Sequence, residues 1–324
     1  MNRAFLLAVG IALLSIYYAR RKAQANKRLR QVPARGERVV IVGCSSGIGR
    51  ELALCYAARG AKLALFARRA ELMNSLKQDC EAAGSPIAVA VAGDVTRTED
   101  LERLVDDTRR TLGGVDTLIY CAGTISVRLF LDASGIQVER QQTTFKVITQ
   151  RPEGAGAVLD QALDKINNVN YTAAVRCVRL FLPLLLETSK APNIVAISSL
   201  AGKVGAPTRS LYAGSKHALH GFLDSLRVEL QPLGVHIGVI CPGTVETNLR
   251  SSAVDYNLGT GEDVAGSKKG KLKPRQVALA TINASDRRER EVYIPAWMGY
   301  SAIWGKMLAS SWVDWVAARK YKLP

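Results

Sequence analysis

Hydrophobic positions along the chain fall into short β-branched runs separated by longer stretches in which apolar residues recur every three or four positions. ERVVIVG around Arg38–Val42, AKLALFA at Ala61–Ala67, IAVAVAGDV at 87–95, VDTLIYCAG at 115–123, IVAI at 194–197 and His236–Ile240 have the near-continuous apolar character of strands buried on both faces. RELALCYAARG after the first run, and the stretch from Tyr212 to Leu230, read as helices. Strands alternating with helices predict an α/β fold, a single doubly wound parallel sheet with helices on both faces. Val292–Ile294 is expected to add an edge strand.

Both ends break this pattern. Residues 4–19, AFLLAVGIALLSIYYA, carry no charge, and RRK at 20–22 begins a basic run. A helix of that length spans ~24 Å against a ~30 Å hydrocarbon core, a gap that snorkelling Arg20 and Arg21 and interfacial Tyr17 and Tyr18 would close. The expected organisation is therefore a membrane anchor and basic linker over 1–37 and a catalytic domain over 38–295. A cleaved signal peptide ending near Ala23-Gln24-Ala25 is the competing reading, disfavoured because the positive charge follows the apolar stretch instead of preceding it. At the other end all four tryptophans fall between 297 and 315. Trp304, Leu308, Trp312 and Trp315 are spaced to line one helical face, so 296–324 is expected to be an amphipathic extension that packs on the domain or lies in a lipid interface.

Charge sharpens this division. The net charge of +16 comes from the ends: residues 1–38 hold nine Lys/Arg and one acid, residues 268–324 hold twelve and four, and the body between them holds 23 of each. Basic ends suit an anionic membrane surface or nucleic acid; the apolar stretch beside them favours lipid and disfavours nucleic acid. The six cysteines have no metal-ligand spacing, and Cys44, Cys121 and Cys241 read as small buried hydrophobes of a reducing compartment. His217 and His220 have no further ligands near them in sequence, so no metal is expected.

Candidate chemistry lies at the ends of the strands. Gly43, Gly47 and Gly49, in GCSSGIG with Ser45, Ser46 and Ile48, join the first strand to a helix, the context in which backbone N–H groups approach a phosphate. After the second strand come Arg68 and Arg69 where an acid would bond the ribose diol of NAD. Arginine there pairs with a 2′-phosphate, so NADP is the expected cofactor, with Arg68 the reader and Arg69 solvated. Farther on, IVAI ends in Ser198-Ser199, and Tyr212 and Lys216 follow four residues apart on one helix face. An ammonium beside a phenol favours the phenolate, which brings its proton exchange toward neutral pH, while a serine hydroxyl holds the reacting oxygen.

This constellation resembles the short-chain dehydrogenase/reductase family, from about Arg38 to about Leu249, and the tail with PGTVETNL looks most like its microsomal 11β-hydroxysteroid dehydrogenase and member-seven types. The resemblance implies a Rossmann-like domain in which Ser199 orients substrate, Tyr212 is the acid/base, Lys216 binds ribose and lowers the phenol pKa, and Asn170 holds a water of the proton relay. It also implies cofactor contacts from Asp94 and Val95 beside adenine, from Ala122 and Gly123, and from Pro242, Gly243, Val245 and Thr247 around the nicotinamide. Val42, Tyr120 and Cys121 depart from the family text.

The family usually has about half of the 46 residues found here between Gly123 and Asn170. That surplus, around 128–156, is expected to be a surface loop, and 250–273, rich in Gly, Ser and Lys, a flexible lid. The expected function is interconversion of a ketone and a secondary alcohol on a lipophilic substrate: acyl-dihydroxyacetone phosphate, a long-chain ketone, a steroid or a retinoid. The alternative is a non-catalytic NADP-binding membrane protein acting as sensor or scaffold. Expected partners are the small-molecule substrate and membrane lipid, with a homodimer left open. The expected location is the endoplasmic reticulum membrane, with the catalytic domain on the cytosolic side.

Overall fold

The computed structural model describes residues 23–150, 155–255 and 270–321, with Ser15 and Ala19 ahead of them. Apart from Ser15 and Ala19, the anchor expected over 4–19 lies outside the described residues, as do residues 256–269 of the expected lid.

Each apolar run is a strand of one sheet. β1 (Arg38–Val42) leads into α1 (Gly47–Ala58), β2 (Lys62–Ala67) into α2 (Ala70–Ala82), and β3 (Ala88–Ala92) into α3 (Thr98–Leu112). After β4 (Thr117–Tyr120) the chain inserts α4 (Phe130–Ser134), β5 (Ile136–Arg140) and β6 (Phe145–Gln150). It then runs through α5 (Ala155–Asn167), a π-helical turn (Asn168–Thr172) and α6 (Ala173–Thr188) into β7 (Asn193–Ile197). There follow α7 (Ser210–Glu229), β8 (His236–Pro242), α8 (Pro274–Asp286), β9 (Glu291–Ile294), α9 (Ala296–Leu308) and α10 (Ser310–Lys320).

Seven strands pair in parallel in the order β3-β2-β1-β4-β7-β8-β9. Alternation along each strand feeds two cores. Val40, Val42, Leu118 and Tyr120 face one side with α3, α6 and α7; Val39, Ile41 and Ile119 face the other with α1, α2 and α8. Burial on both faces explains why the strand sequences lack a polar side. The winding reverses between β1 and β4, so the carboxyl ends of these strands open a crevice there.

Residues 159–188 are long and apolar enough, by length and composition alone, to cross a membrane. Ala173, Cys177, Phe181, Leu184 and Leu185 are buried against the sheet, so this helix is domain core.

Three expectations need correction. The stretch ahead of β1 is not a trailing linker: residues 23–31 are helical, and Arg28 is buried in an ion pair with Glu37 at 2.7 Å while donating to Thr117 at 2.8 Å. The surplus after β4 is not a structureless loop, because β5 and β6 form an antiparallel hairpin whose Val138 pairs with Val147. At the two ends of the stretch expected as a lid, Asp255 is buried and accepts from the Val127 and Arg128 amides, and the Leu272 amide donates to Thr244 at 2.9 Å. Finally, the tryptophan stripe does not lie on one helix. The chain breaks at Ala309 (φ −150°, ψ 56°), and α9 folds back on α10 with Lys306 paired to Asp314 at 2.8 Å. Trp297, Trp304, Leu308, Trp312 and Trp315 all remain exposed on this helical pair.

Candidate active site

Parallel strands deliver their carboxyl ends to one edge, and the sequence places a turn of small or polar residues at each. Beyond β1, Gly43 takes φ +90°, and a Cβ there would strike the Ala122 backbone beyond β4. A Cβ on Gly49 would strike the Gly43 carbonyl, and one on Gly47 would sit 3.0 Å from the Thr247 methyl. Only glycine permits these approaches. Helix α1 begins at Gly47 with no side-chain cap from Ser46 and no acid in its first turn, so its leading N–H groups are left for an anion. Ser45, Ser46 and Ile48 complete this turn.

β7 ends at Ser198-Ser199, and α7 carries Tyr212 and Lys216 back across the same edge. Ser199 caps the short turn that follows, its Oγ accepting from the Ala201 amide at 3.1 Å. Tyr212 and Lys216 are buried. The Lys216 Nζ donates to the Ile197 carbonyl at 3.1 Å and lies 5.8 Å from the Tyr212 ring centre. A Cβ on Gly123 would come within 3.7 Å of that ammonium, so Lys216 reaches into the cleft beyond β4. Burial pushes the Tyr212 phenol above its ordinary range, against a hydrogen bond to Ser199 and the charge of Arg209, which pull it down. Burial lowers the Lys216 ammonium to about 8, so it keeps its proton at neutral pH. The Ile197 carbonyl holds the ammonium, and Ser199 and Arg209 are the groups that pull the phenol down.

A serine, a phenol and an ammonium now share one cleft with a glycine turn built for close approach. The family model described as short chain dehydrogenase matches residues 37–257. The chain belongs to the short-chain dehydrogenase/reductase family. Its members are oxidoreductases acting on CH–OH and C=O groups. The 11-beta-hydroxysteroid dehydrogenase 1A of Arabidopsis thaliana is 33% identical over 288 residues, covering 86% of this chain and 74% of that protein. Dehydrogenase/reductase SDR family member 7B of Bos taurus is 31% identical over 282 residues, covering 84% and 77%. Among solved structures, a short chain dehydrogenase/reductase from Burkholderia phymatum in complex with NAD superposes with a TM-score of 0.65 at 22% identity, covering 84% of this chain and 92% of that one. That likeness shows the fold.

Within this short-chain dehydrogenase/reductase, Asn170 sits fully buried in the π-helical turn between α5 and α6. Its side chain accepts from the Thr124 amide at 2.8 Å and donates to the Thr124 carbonyl and to Ser215 Oγ, both at 2.9 Å. The amide is thus spent on pinning the loop beyond β4 to α7. Ser215 continues the chain by donating to the Tyr212 carbonyl at 2.8 Å, and the Tyr212 amide donates to Ser126 at 3.1 Å. Thr124, Ser126, Ser215 and Asp255 escaped the sequence reading because their partners lie 45 to 128 residues away. Tyr120, which departs from the family text, donates its hydroxyl to the Val169 carbonyl and so steadies the π turn.

Of the expected cofactor contacts, Ala122, Pro242 and Gly243 line the carboxyl edge of the sheet, and Val245 bridges to Leu272. Asp94 accepts from the Thr96 amide and hydroxyl at 2.9 and 2.8 Å, shaping the turn after β3 beside buried Val95. Both arginines after β2 are exposed. Arg69 donates to Ser45 at 2.8 Å and so reaches the glycine turn, and Arg68 precedes it between β2 and α2.

His220 has neighbours that its sequence context hid: Cys241 Sγ lies 3.6 Å from Nε2 and Glu291 3.6 Å from Nδ1. The two ring nitrogens thus address different partners, and the Glu291 carboxylate is already held by Lys203 at 2.9 Å. Burial lowers His220 to about 3, leaving it neutral. The Cys241 thiol also donates to Glu291 at 3.7 Å, so one ligand atom from each of His220, Cys241 and Glu291 lies within 4.8 Å of the others, a grouping that the sequence spacing did not show.

Proposed function

We propose that this chain is an NADP-dependent, membrane-associated oxidoreductase interconverting a ketone and a secondary alcohol on a lipophilic substrate. The observation that carries the reading is the convergence of Ser199, Tyr212 and Lys216 beside the turn of Gly43, Gly47 and Gly49. The uncapped start of α1 and the space that a Cβ would fill at three glycines suit a dinucleotide pyrophosphate. Arg69, reaching Ser45, suits an added 2′-phosphate, with Arg68 next to it in the chain.

A nicotinamide bound there would supply or accept the hydride. Tyr212 gives the proton to the carbonyl oxygen in reduction and takes it back in oxidation. Ser199 donates a hydrogen bond to that oxygen and orients it. Lys216, protonated at neutral pH, contributes the positive charge that makes a transient phenolate tolerable, and it would help to hold the ribose of a bound cofactor. Because the Asn170 side chain is committed, its part in any proton path runs through its main-chain carbonyl, in a π turn where the helical bonding is interrupted.

Membrane association rests on residues 4–19 and on the exposed tryptophans of α9 and α10, with Arg319 stacked 3.9 Å over the Trp315 ring. The endoplasmic reticulum with a cytosolic domain is the proposed setting, and attachment would put the cleft beside lipid-dissolved substrate. Detergent-purified protein screened against lipid ketones should oxidise NADPH in preference to NADH. Turnover of none of them, with cofactor bound, would point to a binding protein instead.

A further inference from the structure

Arg209 immediately precedes the catalytic helix, one turn before Tyr212. The chain reaches it through Thr208 at φ +65°, a strained conformation for a β-branched residue. What this turn accomplishes is to bury a guanidinium. Arg209 is 8% exposed, its main chain closes the first turn of α7, and its Nη1 donates to the Tyr321 hydroxyl of the C-terminal helical pair at 2.8 Å. The guanidinium carbon lies 5.8 Å from the Tyr321 ring centre. Two polar atoms here have no partner: Arg209 Nη2 and the adjacent Thr208 Oγ1 are buried and unsatisfied.

A second cation is near. Arg250, partly buried just beyond Leu249, lies close enough to Arg209 that burial and the Arg209 charge together lower its pKa. Among the described residues neither guanidinium has a carboxylate partner. Two buried or half-buried cations without an acid are unfavourable in a finished core, where buried charges are paired. They are what a site for an anion requires before its ligand arrives. Around Tyr212 the other groups are Ser199, Lys216 and Cys241, none of them an acid.

We infer that Arg209 and Arg250 form a subsite for the anionic head group of a lipid substrate, with Arg209 held in place by Tyr321 and its Nη2 aimed at the anion. This rests on the reading of Tyr212 as the acid that serves the carbonyl, since the subsite then lies one helical turn from the reacting oxygen. It narrows the substrate class from lipophilic ketones in general to those carrying a phosphate or carboxylate close to the carbonyl. It also gives the C-terminal pair a task besides attachment.

The test is titration calorimetry on the full chain in uncharged detergent, with and without NADP+, using dodecyl phosphate, dodecanol and inorganic phosphate. Dodecyl phosphate should bind at least about tenfold more tightly than dodecanol, and Arg209→Gln and Arg250→Gln should each remove about tenfold of that preference. Inorganic phosphate should be weaker than the alkyl ester. Arg209→Lys should retain part of the preference, and Tyr321→Phe should lose less than Arg209→Gln. Because Arg209 is buried, thermal melts check folding, and half-buried Arg250→Gln decides the matter if Arg209→Gln does not fold. Equal affinity for phosphate and alcohol overturns the subsite, as does a preference that survives in the folded variants. Inorganic phosphate binding as tightly as the ester overturns the assignment to a lipid. Alkyl phosphate binding through Arg209 or Arg250 in a protein that reduces no ketone would keep the subsite and sink the reductase reading. Ketone reduction indifferent to an anionic head would do the reverse.

Discussion

The Lys216 ammonium lies 5.8 Å from the centre of the Tyr212 ring, on the same face of α7, and both side chains are buried. In the proposed reaction Lys216 supports the transient phenolate only while it is charged. Burial lowers Lys216 from 10.5 to about 8, so the rate of carbonyl reduction should hold through neutral pH and decline above about pH 8. Stability should move the opposite way. Between about pH 8 and 10.5 the unfolded lysine keeps the proton that the folded one has released, so the fold gains stability as pH rises through that window. The shift amounts to about 3 kcal/mol, present in full as a penalty below pH 8. Urea denaturation of wild type and Lys216→Met should show the wild type gaining relative to the variant between pH 7.5 and 10.

Arg69 reaches Ser45 at 2.8 Å and so stands at the glycine turn. Arg69→Ala should raise KM for NADPH by about tenfold or more while leaving NADH nearly unchanged, as expected for loss of a charge-assisted phosphate contact. Arg68→Ala should do less. Steady-state kinetics with both cofactors decide between the two arginines.

Asn170 holds the backbone of Thr124 from both sides and grips Ser215. Asn170→Ala leaves a buried donor and acceptor unpaired and should destabilise the domain by about 3 kcal/mol. Denaturant titration measures this, and an intact midpoint would show that the loop beyond β4 is held otherwise.

Arg28 and Glu37 are fully buried partners at 2.7 Å. Arg28→Ala leaves the carboxylate uncompensated, and a loss of about 3–5 kcal/mol follows. If the segment ahead of β1 were only a tether, the melting temperature would not change.

The sheet was legible because its central strands, β1, β2, β4, β7 and β8, are buried on both faces, so runs such as VVIV and IVAI have no other use, and the glycine turn and α7 declare themselves by position. What sequence hid was made by distant pairing. Asp255 bonds Val127 and Arg128 across the domain, Tyr321 bonds Arg209, and Arg28 reaches Glu37, Thr117 and Asp286. Helical spacing also misled at the tail. Trp304 and Trp312 keep an eight-residue interval, but periodicity is blind to the turn at Ala309 that puts them on different helices. The Arg69–Ser45 bond was hidden likewise, since a side chain's direction after a strand end depends on how the next helix begins.

The central claim is that a hydride arrives at a carbonyl carbon while Tyr212 protonates its oxygen. Deuteride transfer from 4-deuterated NADPH to a lipid ketone, followed by mass spectrometry of the alcohol, measures it directly. Wild type should place one deuterium on the carbinol carbon, and Tyr212→Phe should lower that rate by about 10²–10⁴-fold with NADPH binding retained. Unlabelled alcohol, or a Tyr212→Phe variant that transfers deuterium at the wild-type rate, would contradict the account.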